Sequence, residues 1–544
     1  MRPAVSVRGF SALHRCGASV RRLVFRVCVS SSLLVSLTNL AAREVSITVL
    51  HTTDLHGHIR PTDITYPKEE AGADMGGLAR CATAIKKIRA ETPNCLLLDN
   101  GDTIQGTAAS LMSGGLMMIR AMNHMRYDAW TLGNHEFDWG LEKLKCCVAA
   151  AQMPILACNM HAPEPEIVGR LRPFLIKEMG GVRVAIIGLT TPGVPNWSRP
   201  RLIGGLKFES SVDALRRVLR EVKRQKADIV LLAAHQGYRN YPDDHANQLR
   251  AVTSRFPEID AIIGGHTHRP APETFVLNIL YSQANHSGTA LGRMDFVYDT
   301  DRRKLASRKA QLLPMDSRVV QDPDVLALCK PDLDAADKEL ARVIGTAAAD
   351  ISAEGAPSRE TSAHNLLCEA ILDACRRADH PADIVIQGVP NERAEIKKGP
   401  IKVADCWEIQ PYENFIGVFE ATPDQLREIL NENAYHYGSG HFAGVYGMKV
   451  VLKVSAPRRE RVVSIADRDG KPFAPGRRLR VAVNSFDLAS AGTRKPRLRA
   501  IADAPEAKLA ELDVQVREAL IEFIGAKKTI APRTHGWWRV GGER

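Results

Sequence analysis

The chain of 544 residues, 45% hydrophobic and 25% charged, is longer than one hydrophobic core usually organises, so two domains are expected. That composition excludes a disordered, collagen-like or disulfide-scaffold chain. The formal charge of +11 is unevenly placed: Arg2, Arg8, Arg15, Arg21, Arg22 and Arg26 all fall in residues 1–42, which hold no acidic residue, and without them +5 remains. No Lys/Arg block is interleaved with aromatics, so nucleic acid is not an expected partner.

Residues 1–42 read as an export signal, with an Arg-rich start, an apolar and Ser-rich stretch from Val27 to Leu40, and small residues Ala41 and Ala42 at the end. The stretch is too short and too polar to span a bilayer, so no stable span is expected after its removal, and the location is periplasmic or extracellular. A mis-assigned start with an anchor or a disordered tail is the alternative. The 11 cysteines fall to nine without Cys16 and Cys28. Their spacing suits neither a disulfide framework nor a zinc knuckle, and most read as small buried hydrophobes.

From Val45 to about Thr300, apolar β-branched runs alternate with helical patterns, the signature of a layered α/β domain. Strands are expected at Val45 to His51, Cys95 to Asp99, Asp128 to Leu132, Pro154 to Cys158, Val182 to Leu189, Asp228 to Ala234 and Ile259 to Ile263. Helices are expected at Gly77 to Ala90 and Ser210 to Lys226. A connecting helix follows over Asp322 to Ile344, and then a second domain. In it the pattern predicts helices at Asn365 to Arg377 and Ala507 to Ile524, and strands at Ile384 to Gln387, Gly447 to Val454 and Leu479 to Val483.

Five short motifs in the first domain each follow a predicted strand and carry metal-competent side chains: Asp54 with His56, Gly101 with Asp102, Asn134 to Asp138, His235, and His266 with His268. Strand ends are where an open α/β sheet presents its ligand-binding loops. A single His or Asp there is usually a cap or a turn residue; five in succession are not. Glycines beside the ligands permit close backbone approach. The mixed N/O donor set without Cys suits zinc, manganese, iron or cobalt. Seven donors are too many for one tetrahedral ion and suit two ions bridged by a carboxylate, ~3.5 to 4 Å apart.

The strings LHTTDLHGH (Leu50 to His58), GDTIQGT (Gly101 to Thr107), LGNHEFDWG (Leu132 to Gly140) and GGHTHR (Gly264 to Arg269) resemble the secreted 5'-nucleotidase, UDP-sugar hydrolase and 2',3'-cyclic phosphodiesterase family of the calcineurin-like metallophosphoesterase superfamily. The resemblance implies a four-layer α-β-β-α sandwich over residues 43–320, a linker helix over 321–345 and a mixed α+β substrate-binding domain over 346–540. It also implies that Asp54, His56, Asp102 and His268 hold one divalent ion and that Asp102, Asn134, His235 and His266 hold the other. His135 would donate to the phosphoryl or leaving-group oxygen, oriented by Asp138. Glu136 reads as a possible loop brace.

In the second domain the matches are partial. Gln410 to Asn414, with Tyr412, and Val483 to Phe486 resemble the two motifs whose rings stack on the base, with core packing as the alternative for both aromatics. Arg393 stands where the family has an arginine that contacts the nucleotide. The triple glycine before it is replaced by Gly388, Val389, Pro390, Asn391 and Glu392, and the family's acidic ribose contact is replaced by Ser490 to Thr493. Arg359 reads as a surface arginine with anion contact as the alternative. The implied function is an exported two-metal phosphohydrolase acting on a small-molecule nucleotide or nucleotide sugar, first as a 5'-nucleotidase. The alternatives are a 2',3'-cyclic nucleotide phosphodiesterase, a UDP-sugar hydrolase and a nucleotide-binding protein without turnover.

Overall fold

The computed structural model describes residues 43–61, 74–161, 167, 169–239 and 242–541. The expected export segment lies outside them. Parallel strands Glu44–Thr52, Cys95–Asp99 and Ala129–Thr131 form the middle of a seven-stranded sheet, completed on one side by the antiparallel strands Ala290–Asp299 and Lys304–Pro314. A six-stranded sheet runs through Val182–Leu189, Ile229–Ala234, Ala261–Ile263 and Ile279–Ala284, again parallel. Near-continuous apolar runs such as CLLL before Asp99 and AII suit parallel strands covered on both faces.

Ile47, Val49, Leu96 and Leu98 of the first sheet meet Val184, Ile186, Leu231 and Ile263 of the second in one buried cluster. The outer face of the first sheet is covered by Leu78–Glu91, Leu116–His124 and Leu141–Ala150, and that of the second by Ser211–Arg224 and Leu249–Arg255. The result is the four-layer α-β-β-α sandwich implied by the motifs.

The helix expected over Asp322 to Ile344 runs over Pro323–Leu340 only, with the Asp322 carboxylate capping the N–H groups of Asp324 and Val325. Ile344 lies instead in strand Val343–Ala347, which pairs with Gly399–Lys402 and Thr529–Ile530. The helix buries Val325, Cys329, Leu333 and Ala336 in the N-terminal core.

A separate core underlies the C-terminal part, where Gly444–Tyr446, Ile384–Gln387, Leu479–Asn484, Phe415–Ala421 and Ala510–Gln515 form a five-stranded mixed sheet. Ser362–Arg377 and Val516–Lys527 pack beside it. The helix expected over Ala507 to Ile524 is corrected here. Its first half is the strand Ala510–Gln515, whose alternating AELDVQ pattern pairs antiparallel with Phe415–Ala421; a capping box of Gln515 and Glu518 then starts the helix at Val516. Leu509 and Leu512 sit three apart and mimic helical spacing.

From Glu44 the two cores belong to one compact unit. Buried Arg199 bridges them, with Nη2 2.8 Å from Asp503 Oδ1 and Nε 2.7 Å from Glu511 Oε1. Of the nine described cysteines all are free and seven are buried, consistent with small hydrophobes rather than cross-links. No helix among the described residues is long and apolar enough to cross a membrane.

Candidate active site

The C-terminal ends of the parallel strands in both sheets point to the same edge of the sandwich, so loops far apart in sequence meet there. Backbone hydrogen bonds stitch them: Asp54 N–H to Gly101 O at 2.8 Å, and His56 N–H to Asp102 O at 2.9 Å. His266 N–H reaches Asp54 Oδ1 at 2.9 Å, and His135 N–H reaches Asp102 Oδ1 at 2.7 Å. Glu136 accepts from the N–H groups of Asp102 at 2.9 Å, Thr103 at 2.6 Å and Gly133 at 2.6 Å. It is the brace between two metal loops.

All seven sequence-predicted donors converge. The ligand atoms of Asp54, His56 and His268 lie within 4.8 Å of one another, and so do those of Asp102, His235 and His266. His56 Nε2 is 3.0 Å from His268 Nε2, and the Asn134 carboxamide oxygen is 2.7 Å from His266 Nδ1. His235 Nε2 lies 3.0 Å from Asp102 Oδ2 and 3.9 Å from Asp54 Oδ1, yet no hydrogen bond satisfies this buried nitrogen. Several lone pairs aimed at a common point are what a cation requires.

Backbone strain marks the same residues. Asp54, His56, Asp102, His266 and His268 have φ of 52°, 48°, 53°, 70° and 52°, the left-handed region that costs an L-residue of order 1 kcal/mol or more each. The Asp-x-His and His-x-His spacings put both members of each pair in this conformation. Behind them, His235 Nδ1 lies 2.6 Å from Asn100 O and His56 Nδ1 3.1 Å from Gln105 O, which directs each Nε2 into the cluster.

The electrostatics agree. Burial pushes the Asp54 carboxyl up, but His268 and His235 outweigh it and hold it at about 2; Asp102 is likewise held well below the usual range against burial, mainly by His235 and His135. Burial keeps His56 and His266 neutral, His266 down at about 3. These are the protonation states metal ligands need. His235 resists burial and holds its proton to about 9 because Asp102 and Asp54 face it, so the cluster calls for positive charge. A pair of divalent ions fits this donor set.

His135 Nδ1 lies 2.6 Å from Asp138 Oδ2. Burial alone would lower the imidazole, but the charges of Asp138 and Asp102 raise it to about 10. It is therefore a cation and a donor at neutral pH.

His135, Asp138, Asn134 and His266 line a cleft of about 640 Å³ between the two cores, which Tyr412 and Phe486 line as well. Tyr412 is 36% exposed, which separates it from the core alternative. Arg393 is not among the lining residues. It is exposed, with its N–H bonded to Asn391, and Gly388 and Pro390 of the same loop face the cleft instead. A proline has no N–H to offer a ligand. Arg359 is exposed and donates to the Glu354 carbonyl, as a surface arginine. The sequence reading missed Trp197, Arg239, His245, His441 and Arg494 on the cleft wall, because nothing in their local spacing marks them. It also missed His286, whose ring lies 4.8 Å from that of His268; its position just past strand Ile279–Ala284 was the available signal.

Two family models match: calcineurin-like phosphoesterase over residues 47–270 and the 5'-nucleotidase C-terminal domain over residues 343–499. The chain is 27% identical to a human 5'-nucleotidase over 461 residues, covering 78% of each chain. It is 28% identical to a Haemophilus influenzae 2',3'-cyclic-nucleotide 2'-phosphodiesterase/3'-nucleotidase over 481 residues, covering 76% of this chain and 71% of that one. A crystal structure of a 5'-nucleotidase precursor from Thermus thermophilus superposes with a TM-score of 0.71 at 26% identity, covering 92% of this chain and 100% of that one. With both domains matched in order and the strand-end donors gathered at one edge, the chain belongs to the calcineurin-like metallophosphoesterases that carry a 5'-nucleotidase C-terminal domain, and is a metal-dependent phosphoric ester hydrolase.

Proposed function

We propose that the protein is an exported two-metal phosphohydrolase that cleaves phosphate esters of nucleotides, with nucleoside 5'-monophosphates as its main substrates. The observation that carries the reading is the five strained, positive-φ residues of the donor cluster beside a cleft that His135, Asn134 and His266 line together with two aromatic rings, Tyr412 and Phe486. Its similarity to proteins named 5'-nucleotidase supports the substrate class.

In this reading Asp54, His56, Asp102 and His268 hold one ion, and Asp102, Asn134, His235 and His266 hold the other. When bound, zinc, manganese, iron or cobalt would polarise the phosphoryl group and lower the pKa of a water. His135 hydrogen-bonds the phosphoryl or leaving-group oxygen through Nε2, while Asp138 holds the ring and its proton. Tyr412 and Phe486 take the base between their rings. Arg393 serves as a further contact only after its loop rearranges. We assign residues 1–42 to an export signal, 43–320 to the metal-bearing domain, 321–345 to the connection and 346–540 to the substrate domain.

The test is phosphate release from AMP, UDP-glucose, 2',3'-cyclic AMP and an aryl phosphate, with manganese or with chelator. Manganese-dependent release from AMP above the others is the expected result. Release from the aryl phosphate alone removes the nucleotide assignment, and release from none of them leaves a binding protein.

A further inference from the structure

The cleft is also lined by the cations Arg239, Arg494 and Lys495, together with His245 and His441. Two of these charges are matched inside the protein. Lys495 Nζ, 3% exposed, lies 2.8 Å from Asp487 Oδ2, and Arg239 Nη1 lies 2.8 Å from Asp244 Oδ2. Arg494 is not matched: among the described residues no carboxylate lies within ion-pair distance, and its side chain makes one hydrogen bond, from Nη1 to the Ala491 carbonyl at 2.9 Å. A half-buried guanidinium with its remaining N–H groups unused is costly unless an anion arrives.

The surroundings favour that anion. Burial and the like charge of Arg239 push Arg494 down. Burial, then Arg494, His436 and Lys495, push His441 down to about 4. The turn that presents Arg494 holds four consecutive residues at positive φ, 89°, 49°, 64° and 67° at Ser490, Ala491, Gly492 and Thr493, and is strained at the three that are not glycine. Strain of this kind persists where it positions a ligand contact. A Cβ on Gly492 would lie 2.6 Å from Trp197 Nε1 and 3.0 Å from Arg494 Nη1, so indole and guanidinium share the space a side chain would fill. On its other side the Trp197 ring lies 5.0 Å from the ring of metal-competent His266. Trp197 therefore stands between Arg494 and metal-competent His266.

We propose that Arg494, backed by Arg239, forms a second anion site in the substrate cleft, and that the preferred substrates carry a second phosphate besides the one that is hydrolysed. The planar guanidinium fork donates to two phosphate oxygens at once. The inference rests on the phosphohydrolase reading for the scissile end and leaves the base and sugar open.

The test measures inhibition of p-nitrophenyl phosphate turnover by the full chain, using two matched pairs: AMP against adenosine 3',5'-bisphosphate, and fructose 6-phosphate against fructose 1,6-bisphosphate. In at least one pair the bisphosphate should bind at least ~10-fold more tightly, the usual scale of an ionic hydrogen bond. Arg494→Gln should erase that difference, Arg494→Lys should keep part of it, and the surface control Arg497→Gln should keep all of it. No preference in the wild-type chain overturns the proposal whatever the variants do, and so does equal weakening of both members of a pair in Arg494→Gln. If AMP is not hydrolysed while an Arg494-dependent preference persists, the nucleotide reading fails and the anion site stands.

Discussion

Gln105 Nε2, in the GDTIQGT loop of the metal-bearing core, donates to Glu413 Oε2 at 2.7 Å across 308 residues of chain. The other oxygen of Glu413 accepts from Arg517 Nη2 at 2.5 Å, and Arg517 also lies 3.4 Å over the Trp407 ring. One buried carboxylate thus ties a metal loop to the loop that carries Tyr412.

Removing that carboxylate leaves Arg517, 2% exposed, as a buried unpaired charge. Glu413→Ala is expected to destabilise the protein by ~3–5 kcal/mol, read as a lower denaturation midpoint. Arg517→Met in the same background should recover part of the loss. A Glu413→Ala midpoint equal to wild type contradicts the pairing.

The His135–Asp138 pair makes a pH prediction. Asp138 favours the imidazolium, so its removal lowers the pKa of His135 from about 10, and the donor form is lost at lower pH. Asp138→Asn should therefore shift the alkaline limb of kcat toward neutrality, in part only, because Asp102 continues to raise His135. His135→Ala should lower kcat by at least ~10² with bound metal unchanged by elemental analysis. An unmoved limb in Asp138→Asn removes the orienting role.

Gly133 tests the loop geometry without replacing any of the seven donors. A Cβ there would lie 2.2 Å from Asp102 Oδ1 and 2.6 Å from Asp102 N. Gly133→Ala must displace Asp102, and it should cost ~1–3 kcal/mol of stability together with bound metal. Full metal content in this variant would show that Asp102 is not a ligand.

Tyr412→Ala separates base recognition from chemistry. Stacking is worth ~1–3 kcal/mol per base, so KM for AMP should rise ~5- to 150-fold while turnover of a small aryl phosphate stays within about twofold. An equal effect on both substrates assigns Tyr412 to the scaffold.

The metal-competent donors were legible because each sits a few residues past a strand whose apolar run is itself legible, as in Cys95–Asp99 followed by Asp102. Parallel topology then brings those ends to one edge without further information. Glu136 was named as a possible brace, but its backbone donors come from two loops, and no spacing shows that. The 507–524 stretch misled because Leu509, Leu512 and Val516 repeat at helical spacing, and pairing of Ala510–Gln515 with Phe415–Ala421 overrode it.

The sequence by itself determined the α/β layering and the identity of the donors, since hydrophobic period and residue chemistry are local properties. Only the tertiary structure decided that Arg494, Trp197 and Arg239 face the cleft, that Glu413 reaches Gln105, and that Arg393 is not among the residues lining the cleft. Which side chains share a cavity depends on how two separate cores pack, and that packing is set by surfaces contributed from hundreds of residues apart.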